Sequence, residues 1–181
     1  MSKLTLEQQK ALNIMENDGN IFLTGEAGTG KSFLLREYIS RHSNECVVCA
    51  PTGVAAINVK GVTLHRLFKI PLRPLAPNEF TERCGINKAL FKAKIVIIDE
   101  ISMCRFDVFQ YVINTIQEAE NVNGIHKKII VVGDFFQLSP VLTDKDKELL
   151  SYYWNDKAFT EGFAFHTSAW EDLNFKTILL K

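Results

Sequence analysis

A surplus of either charge is missing from this chain. Its 181 residues carry 21 Lys and Arg against 21 Asp and Glu, a formal net charge of zero. A global positive field that gathers nucleic acid is excluded, so any such binding has to come from a local groove. Long apolar runs are missing as well. The apolar stretches, such as Ile95-Val96-Ile97-Ile98, have strand length, and none can span a bilayer as a helix. The start, Met1-Ser2-Lys3-Leu4-Thr5, goes straight into a polar helix pattern, with no signal-peptide apolar region and no Arg-rich presequence. These absences predict an intracellular protein, cytoplasmic in a bacterium and nuclear or mitochondrial in a eukaryote. Cysteine is scarce, at four residues, which excludes a disulfide scaffold. Cys46 and Cys49 form a C-x-x-C, but inside an apolar strand-like run. Their odd spacing sends the side chains to opposite faces of a strand, and no second pair completes a zinc site. With Cys84 and Cys104 they are expected to be buried, reduced thiols.

What is present suits one globular domain with a sizeable core: 46% hydrophobic and 23% charged residues. Thr5 and Gln8 make a capping-box pattern that opens a helix, with Leu6, Ala11, Leu12 and Met15 on one side and an end near Asp18-Gly19. Strands are predicted over 20–24, 46–50, 95–98, 129–132 and 175–180, and helices over 31–41, 54–59, 63–68 and 106–119. Asp144 to Glu148 reads as a solvated turn or a helix start. Residues 71–87 hold Pro71, Pro74 and Pro77 with little periodicity and read as a surface insertion. Strands that alternate with helices, two of them apolar on both faces, predict an α/β fold with a mainly parallel sheet covered on both sides. Ligands of such sheets bind beyond the C-terminal strand ends.

The polar residues at those ends carry chemistry. Gly25-Glu26-Ala27-Gly28-Thr29-Gly30-Lys31-Ser32 fits G-x-x-x-x-G-K-[ST] between a strand and a helix, the context of a P-loop. Its backbone N–H groups and the helix N-terminus attract phosphate oxygens. Lys31 would reach the β- and γ-phosphates, and the Ser32 hydroxyl would ligate Mg²⁺. Ile95 to Ile98 runs into Asp99 and Glu100. Asp99 would hold Mg²⁺ directly or through water, and Glu100 would orient and deprotonate the attacking water. A third strand ends in Gly133-Asp134, and Gln137 three residues later would sense the γ-phosphate. Thr52, in Ala50-Pro51-Thr52-Gly53, reads as a helix N-cap or as part of a phosphate contact. Thr63-Leu64-His65-Arg66-Leu67-Phe68 offers a hydroxyl, an imidazole, a cation and an aromatic. It reads as a core helix with a satisfied His, or as a single-strand path.

Together these strings resemble the first RecA-like domain of superfamily-1B DNA helicases of the PIF (petite integration frequency) type. The resemblance rests on Gly-Glu-Ala-Gly-Thr-Gly-Lys-Ser, Pro51-Thr52-Gly53-Val54-Ala55-Ala56, Thr63-Leu64-His65, Asp99-Glu100-Ile101-Ser102-Met103 and Gly133-Asp134-Phe135-Phe136-Gln137-Leu138. It covers the chain from Leu4 to the last strand. It implies a P-loop NTPase with a RecA-like three-layer α/β/α sandwich, ATP and Mg²⁺ as cofactors, and 5′→3′ unwinding. Gln8 matches the adenine-reading Gln. Gly25, Ala27, Gly28, Thr29, Gly30, Lys31 and Ser32 match the nucleotide loop. Pro51, Thr52, Gly53, Thr63, His65 and Phe68 match motifs that line the single-stranded DNA path. The 71–87 insert takes the place of the small wedge subdomain that meets the duplex junction.

The chain departs from the family pattern at Glu26, where Ser or Pro is usual, and at Ser139-Pro140, where Pro-Pro is usual. An acid beside phosphates is tolerable only if it points outward. The resemblance also implies a second RecA-like domain in cis, which supplies arginine fingers and is absent from these 181 residues. The expected partners are single-stranded DNA and duplex junctions, with no membrane and a monomeric state. Three other readings stay open: a nucleotide-dependent binding module, a RecD-like subunit of a nuclease complex, and a small-molecule kinase. Asp99-Glu100 disfavours the kinase, because transfer to a bound substrate seldom needs the second acid.

Overall fold

The computed structural model describes residues 4–155 and 162–181. In chain order, α1 (Leu6–Asn17) leads to β1 (Ile21–Gly25), α2 (Lys31–Arg41), β2 (Cys46–Ala50), α3 (Gly53–Asn58), β3 (Val62–Thr63) and α4 (Leu64–Phe68). Then come α5 (Lys88–Lys92), β4 (Ile95–Ile98), α6 (Phe106–Asn123), β5 (Lys128–Val132), α7 (Asp144–Trp154), α8 (Ser168–Asp172) and β6 (Lys176–Leu180). Among the described residues no helix is long and apolar enough to cross a membrane.

All four residues of β4 are buried, and that burial sets the layers. Residues two apart share a face of a strand. Ile95 and Ile97 pack with Ala11, Leu12 and Met15 of α1 and with Leu34, Leu35 and Tyr38 of α2. Val96 and Ile98 pack with Leu64, Leu67 and Phe68 of α4 and with Phe109, Val112 and Ile116 of α6. Two cores back to back, with a sheet between them, make the three-layer α/β/α sandwich. Six strands form the sheet in the order β3-β2-β4-β5-β1-β6, and every pairing is parallel.

The rim at the strand starts is closed by side chains that stop helices. Lys127 and Lys128 are consecutive and reach opposite layers. The Lys127 ammonium donates to the Ala93 carbonyl at 2.7 Å, just past α5. Lys128 donates to the carbonyls of Met15 and Asp18 at the end of α1. Asn20 bridges the same rim, donating to the Leu173 carbonyl at 2.9 Å and accepting from the Ile129 N–H at 2.9 Å. Cations near helix C-termini complement the exposed carbonyls there.

The 71–87 segment is an insertion packed on one side against the domain. It lies along α6, and one polar stripe of that helix satisfies part of its backbone. Asp107 accepts the Leu75 N–H at 3.0 Å, Asn114 donates to the Pro77 carbonyl at 2.9 Å, and Thr115 accepts the Thr81 N–H at 3.0 Å. These positions share one helical face. The Thr81 hydroxyl donates to the Phe68 carbonyl and shares a second hydrogen bond with the Tyr111 hydroxyl. Leu75 is fully buried. Other expectations are corrected at single residues. Leu6 is exposed rather than on the buried side of α1, because it is the first residue after the cap and overhangs the core. Cys84 is exposed, whereas Cys49 and Cys104 are buried and Cys46 is half-buried. Cys84 sits in a short 3-10 turn, Arg83–Gly85, with no buried residue. Helix α6 runs to Asn123, four residues beyond the expected end, and stops at Gly124 in the left-handed conformation.

Two outcomes follow. A disulfide exchange reagent added to the native chain should modify Cys84 first, and Cys49 and Cys104 only on unfolding, since burial blocks access. Fast reaction of all four thiols in the native state would contradict this packing. Asp107→Ala should lower unfolding free energy by about 3–5 kcal/mol in urea titration, because it strands a buried guanidinium and the Leu75 N–H.

Candidate nucleotide site and nucleic-acid surface

The parallel register delivers three loops to one rim. Leu23 of β1 is opposite Val132 of β5, and Val131 is opposite Ile98 of β4. The P-loop after β1, the Asp134 turn after β5 and the Asp99-Glu100 turn after β4 therefore start side by side. β5 lies between the other two strands, so Asp134 stands between the P-loop and the paired acids. The Lys31 charge acts on both acids, opposing the rise that burial imposes on Asp99 and adding to the hydrogen bonds that lower Asp134.

The P-loop geometry needs glycine at two points. Gly25 has φ 145°, and a Cβ there would meet the Leu180 carbonyl oxygen at 2.3 Å. Gly30 has φ 89°, and a Cβ there would meet Gln8 Nε2 at 2.3 Å. The Gln8 amide thus rests directly on the loop that precedes α2. It is held by the capping box expected from the sequence: Thr5 N–H donates to Gln8 Oε1 at 3.0 Å, and Gln8 N–H donates to Thr5 Oγ1 at 3.1 Å. Gln8 Nε2 makes none of these bonds. Lys31 Nζ donates to the carbonyls of Gly25 at 2.6 Å and Glu26 at 2.9 Å. Ser32 and Glu26 are exposed.

Asp99 is 7% exposed. Burial pushes its carboxyl up to about 6; the Glu100 N–H opposes the rise, the Glu100 charge adds to it, and Lys31 opposes it. A buried acid of this kind is one that a divalent cation would keep ionised. Glu100 has φ 53° and ψ 46°, left-handed for a non-glycine residue, and it caps the 3-10 turn Ile101–Met103. Such backbone costs of order 1–3 kcal/mol and clusters at functional sites. Asp134 is held below the usual carboxylate range by the Phe136 N–H, then by the Gln137 side-chain amide. Gln137 Nε2 donates to Asp134 Oδ2 at 2.9 Å. Phe135 pins this turn, with its ring 5.5 Å from Phe22 and 5.6 Å from Trp170, while Phe136 is fully exposed.

Nucleotide and magnesium fit this arrangement. Among the described residues no cluster of three or more His, Cys, Asp or Glu could hold a metal ion unaided. Mg²⁺ bound to a nucleotide does not require one. It keeps several waters and takes one or two protein ligands plus phosphate oxygens, which Ser32 and Asp99 could supply.

The candidate nucleic-acid residues divide. Pro51, Thr52 and His65 line one cleft. Thr52 and Thr63 also cap α3 and α4, accepting from the N–H groups of Ala55 at 3.2 Å and Arg66 at 3.3 Å. Gly53 is exposed at the start of α3. Burial, and then the Arg105 guanidinium, hold the His65 imidazole below its usual pKa. Phe68 is a correction: it is 1% exposed inside a core, with no face left for a base. The period of α4 turns it inward, as the core-helix reading allowed. Arg105, Asp107 and Asp146 are absent from the sequence-based candidates. An acid in the first turn of a helix is ordinarily solvated, and only the insert packed over α6 buries Asp107.

Known proteins resemble this chain along most of its length. The PIF1-like helicase model matches residues 3–159. The ATP-dependent DNA helicase Pif1 of Campylobacter jejuni is 34% identical over 173 residues, covering 89% of this chain and 36% of that protein. The ATP-dependent DNA helicase PIF1 of Danio rerio is 39% identical over 155 residues, covering 80% of this chain and 24% of that one. The chain thus spans about a quarter to a third of these relatives' length. The crystal structure of Pif1 helicase from Bacteroides in complex with ADP-AlF3 and ssDNA superposes with a TM-score of 0.84 at 34% identity, covering 100% of this chain and 42% of that one. From the loop residues to the fold, this chain belongs to the PIF1-like helicase family.

Proposed function

We propose that this chain is the first RecA-like motor domain of an ATP-dependent DNA helicase. It binds ATP with Mg²⁺, and hydrolysis drives translocation along single-stranded DNA and unwinding of duplex, 5′→3′ by resemblance. The observation that carries this reading is the shared rim. Lys31, Asp99, Glu100 and the Asp134–Gln137 turn stand at neighbouring strand ends, and Lys31 lies within electrostatic reach of two of the acids.

Each residue then has a task. Gln8 reads adenine beside Gly30. Gly25, Ala27, Gly28, Thr29 and Gly30 wrap the phosphates with backbone N–H groups. Lys31 trades its two loop carbonyls for phosphate oxygens. Ser32 and Asp99 hold the metal, which when bound neutralises charge on the phosphates. Glu100 orients and deprotonates water, and Gln137 senses the γ-phosphate. Pro51, Thr52, Gly53, Thr63 and His65 face the single strand, and the insert stands where a wedge would meet the junction. A second RecA-like domain in cis supplies arginine fingers in a monomeric enzyme. The relatives' names and the ADP-AlF3 and single-stranded DNA complex support this reading.

Three outcomes test it. Lys31→Ala should abolish nucleotide binding in calorimetry. Glu100→Gln in a protein that includes the second domain should keep nucleotide affinity and lose about 10²–10⁴ in turnover, the usual worth of a positioned base; unchanged turnover removes Glu100 from its role. The 181-residue chain alone should hydrolyse ATP about 10³–10⁵ more slowly than the two-domain protein, the usual worth of an arginine finger. Rapid DNA-stimulated turnover by the chain alone contradicts the split site.

A further inference from the structure

Residues 162–166 carry none of the sequence motifs, but they touch both acid-bearing loops of the nucleotide site. On one side the contact is through backbone. Phe163 pairs with Arg105 in an isolated antiparallel bridge, and the Phe106 N–H donates to the Gly162 carbonyl at 2.9 Å. Arg105 and Phe106 follow the 3-10 turn that Glu100 caps. On the other side the contact is aromatic. The rings of Phe163 and Phe165 stack, 5.2 Å apart and 15° from parallel. Phe135 meets both nearly edge-on, at 5.6 Å and 83° for Phe163 and at 4.8 Å and 89° for Phe165. Gly162 closes on the continuation of the same loop, since a Cβ there would meet Leu142 Cδ1 at 2.5 Å.

Phe135 belongs to the turn that holds Asp134 and Gln137. Phe136, Gln137 and Leu138 are exposed, whereas Phe135 is half-buried, so its ring ties any movement of the turn to the interior. Close-packed groups pass a displacement on or repack as a unit rather than yield smoothly. A γ-phosphate that pulled on Gln137 would shift Phe135 against the stacked pair, and the bridge would carry the shift to Arg105 and Phe106.

From there the route to the insert is short. Arg105 Nε and Nη2 each donate to the Asp107 carboxylate at 2.7 Å, and Asp107 accepts the Leu75 N–H at 3.0 Å. The Phe106 ring lies 5.0 Å from Trp154 at 80°, and Trp154 Nε1 donates to the Leu75 carbonyl at 2.9 Å. Both polar groups of the Leu75 backbone are therefore held within one residue, or one ring contact, of the bridge. Leu75 is fully buried, which makes it the anchor of the 71–87 insert.

We propose that residues 162–166 couple the γ-phosphate to the insert. Phe163 and Phe165 are positioning residues that convert the place of the Gln137 turn into the place of Leu75. The proposal rests on the nucleotide reading above and adds how that site governs the insert. A rival route runs directly along the chain from Glu100 to Arg105. The two are separable, because the direct route contains neither Phe163 nor Phe165.

The chain has two tryptophans, one at each end of the proposed route. Trp170 packs on Phe135 with centroids 5.6 Å apart, and Trp154 reports on Leu75. Fluorine NMR of the 181-residue chain labelled with fluorotryptophan compares saturating ADP–Mg²⁺ with a non-hydrolysable ATP analogue and Mg²⁺, and Trp154→Phe assigns the two resonances. The analogue should move both resonances beyond their ADP positions. Phe163→Leu and Phe165→Leu should each keep a cooperative melt and the parent's ADP affinity in calorimetry, and should hold Trp154 at its ADP position while the analogue is bound. A parent Trp154 resonance that does not distinguish the analogue from ADP overturns the coupling. A Trp154 shift that survives in either folded variant overturns residues 162–166 as its carrier and assigns the route to the chain from Glu100. No binding of either nucleotide overturns the nucleotide reading beneath the proposal.

Discussion

The parallel pairing of β1, β5 and β4 is the constraint on which the rest depends. The hydrogen-bond register allows no independent placement of the loops that follow these strands. With Leu23 opposite Val132 and Val131 opposite Ile98, the P-loop, the Asp134 turn and the acid pair emerge together. Parallel strands need covering on both faces, and the all-apolar β4 supplies both cores at once. The same residues that stabilise the sandwich therefore aim the polar residues beyond it.

Three features of the site bear on binding. Asp99 is buried enough to resist ionisation, and Glu100 holds a left-handed backbone. Lys31 meanwhile engages two carbonyls of its own loop. Under the proposed function a cation and a phosphate group would relieve the first and third of these together, one neutralising Asp99 and the other replacing the carbonyls. The affinity of such a site is a difference between two satisfied states rather than a sum of new contacts.

Much of this was legible in the sequence because its signals are local. The strand at 46–50 and the helix at 31–41 have the expected bounds, and the Thr5–Gln8 box is present atom for atom. What escaped depends on distant contacts. The 71–87 segment has no period to read, since α6 rather than its own helix or sheet satisfies part of its backbone. Asp107 reads as a surface acid until Leu75 and Arg105 close over it. Phe68 offered an aromatic at a plausible place, and only the packing of α4 showed it turned inward. Cys84 failed the opposite way: free thiols are usually buried, but a short turn on the insert gave it nothing to hide under.

The two rims of the sheet also differ in kind. At the strand starts, Lys127, Lys128 and Asn20 tie helix ends and strands together. At the strand ends, glycine turns and a left-handed acid leave the backbone far less cross-braced. The first rim is tied by bonds between distant elements, and the second mainly by bonds within its own loops. Thermal breathing should thus begin among the loops at the strand ends and die out toward the lysine-braced base, so motion is concentrated around the candidate site.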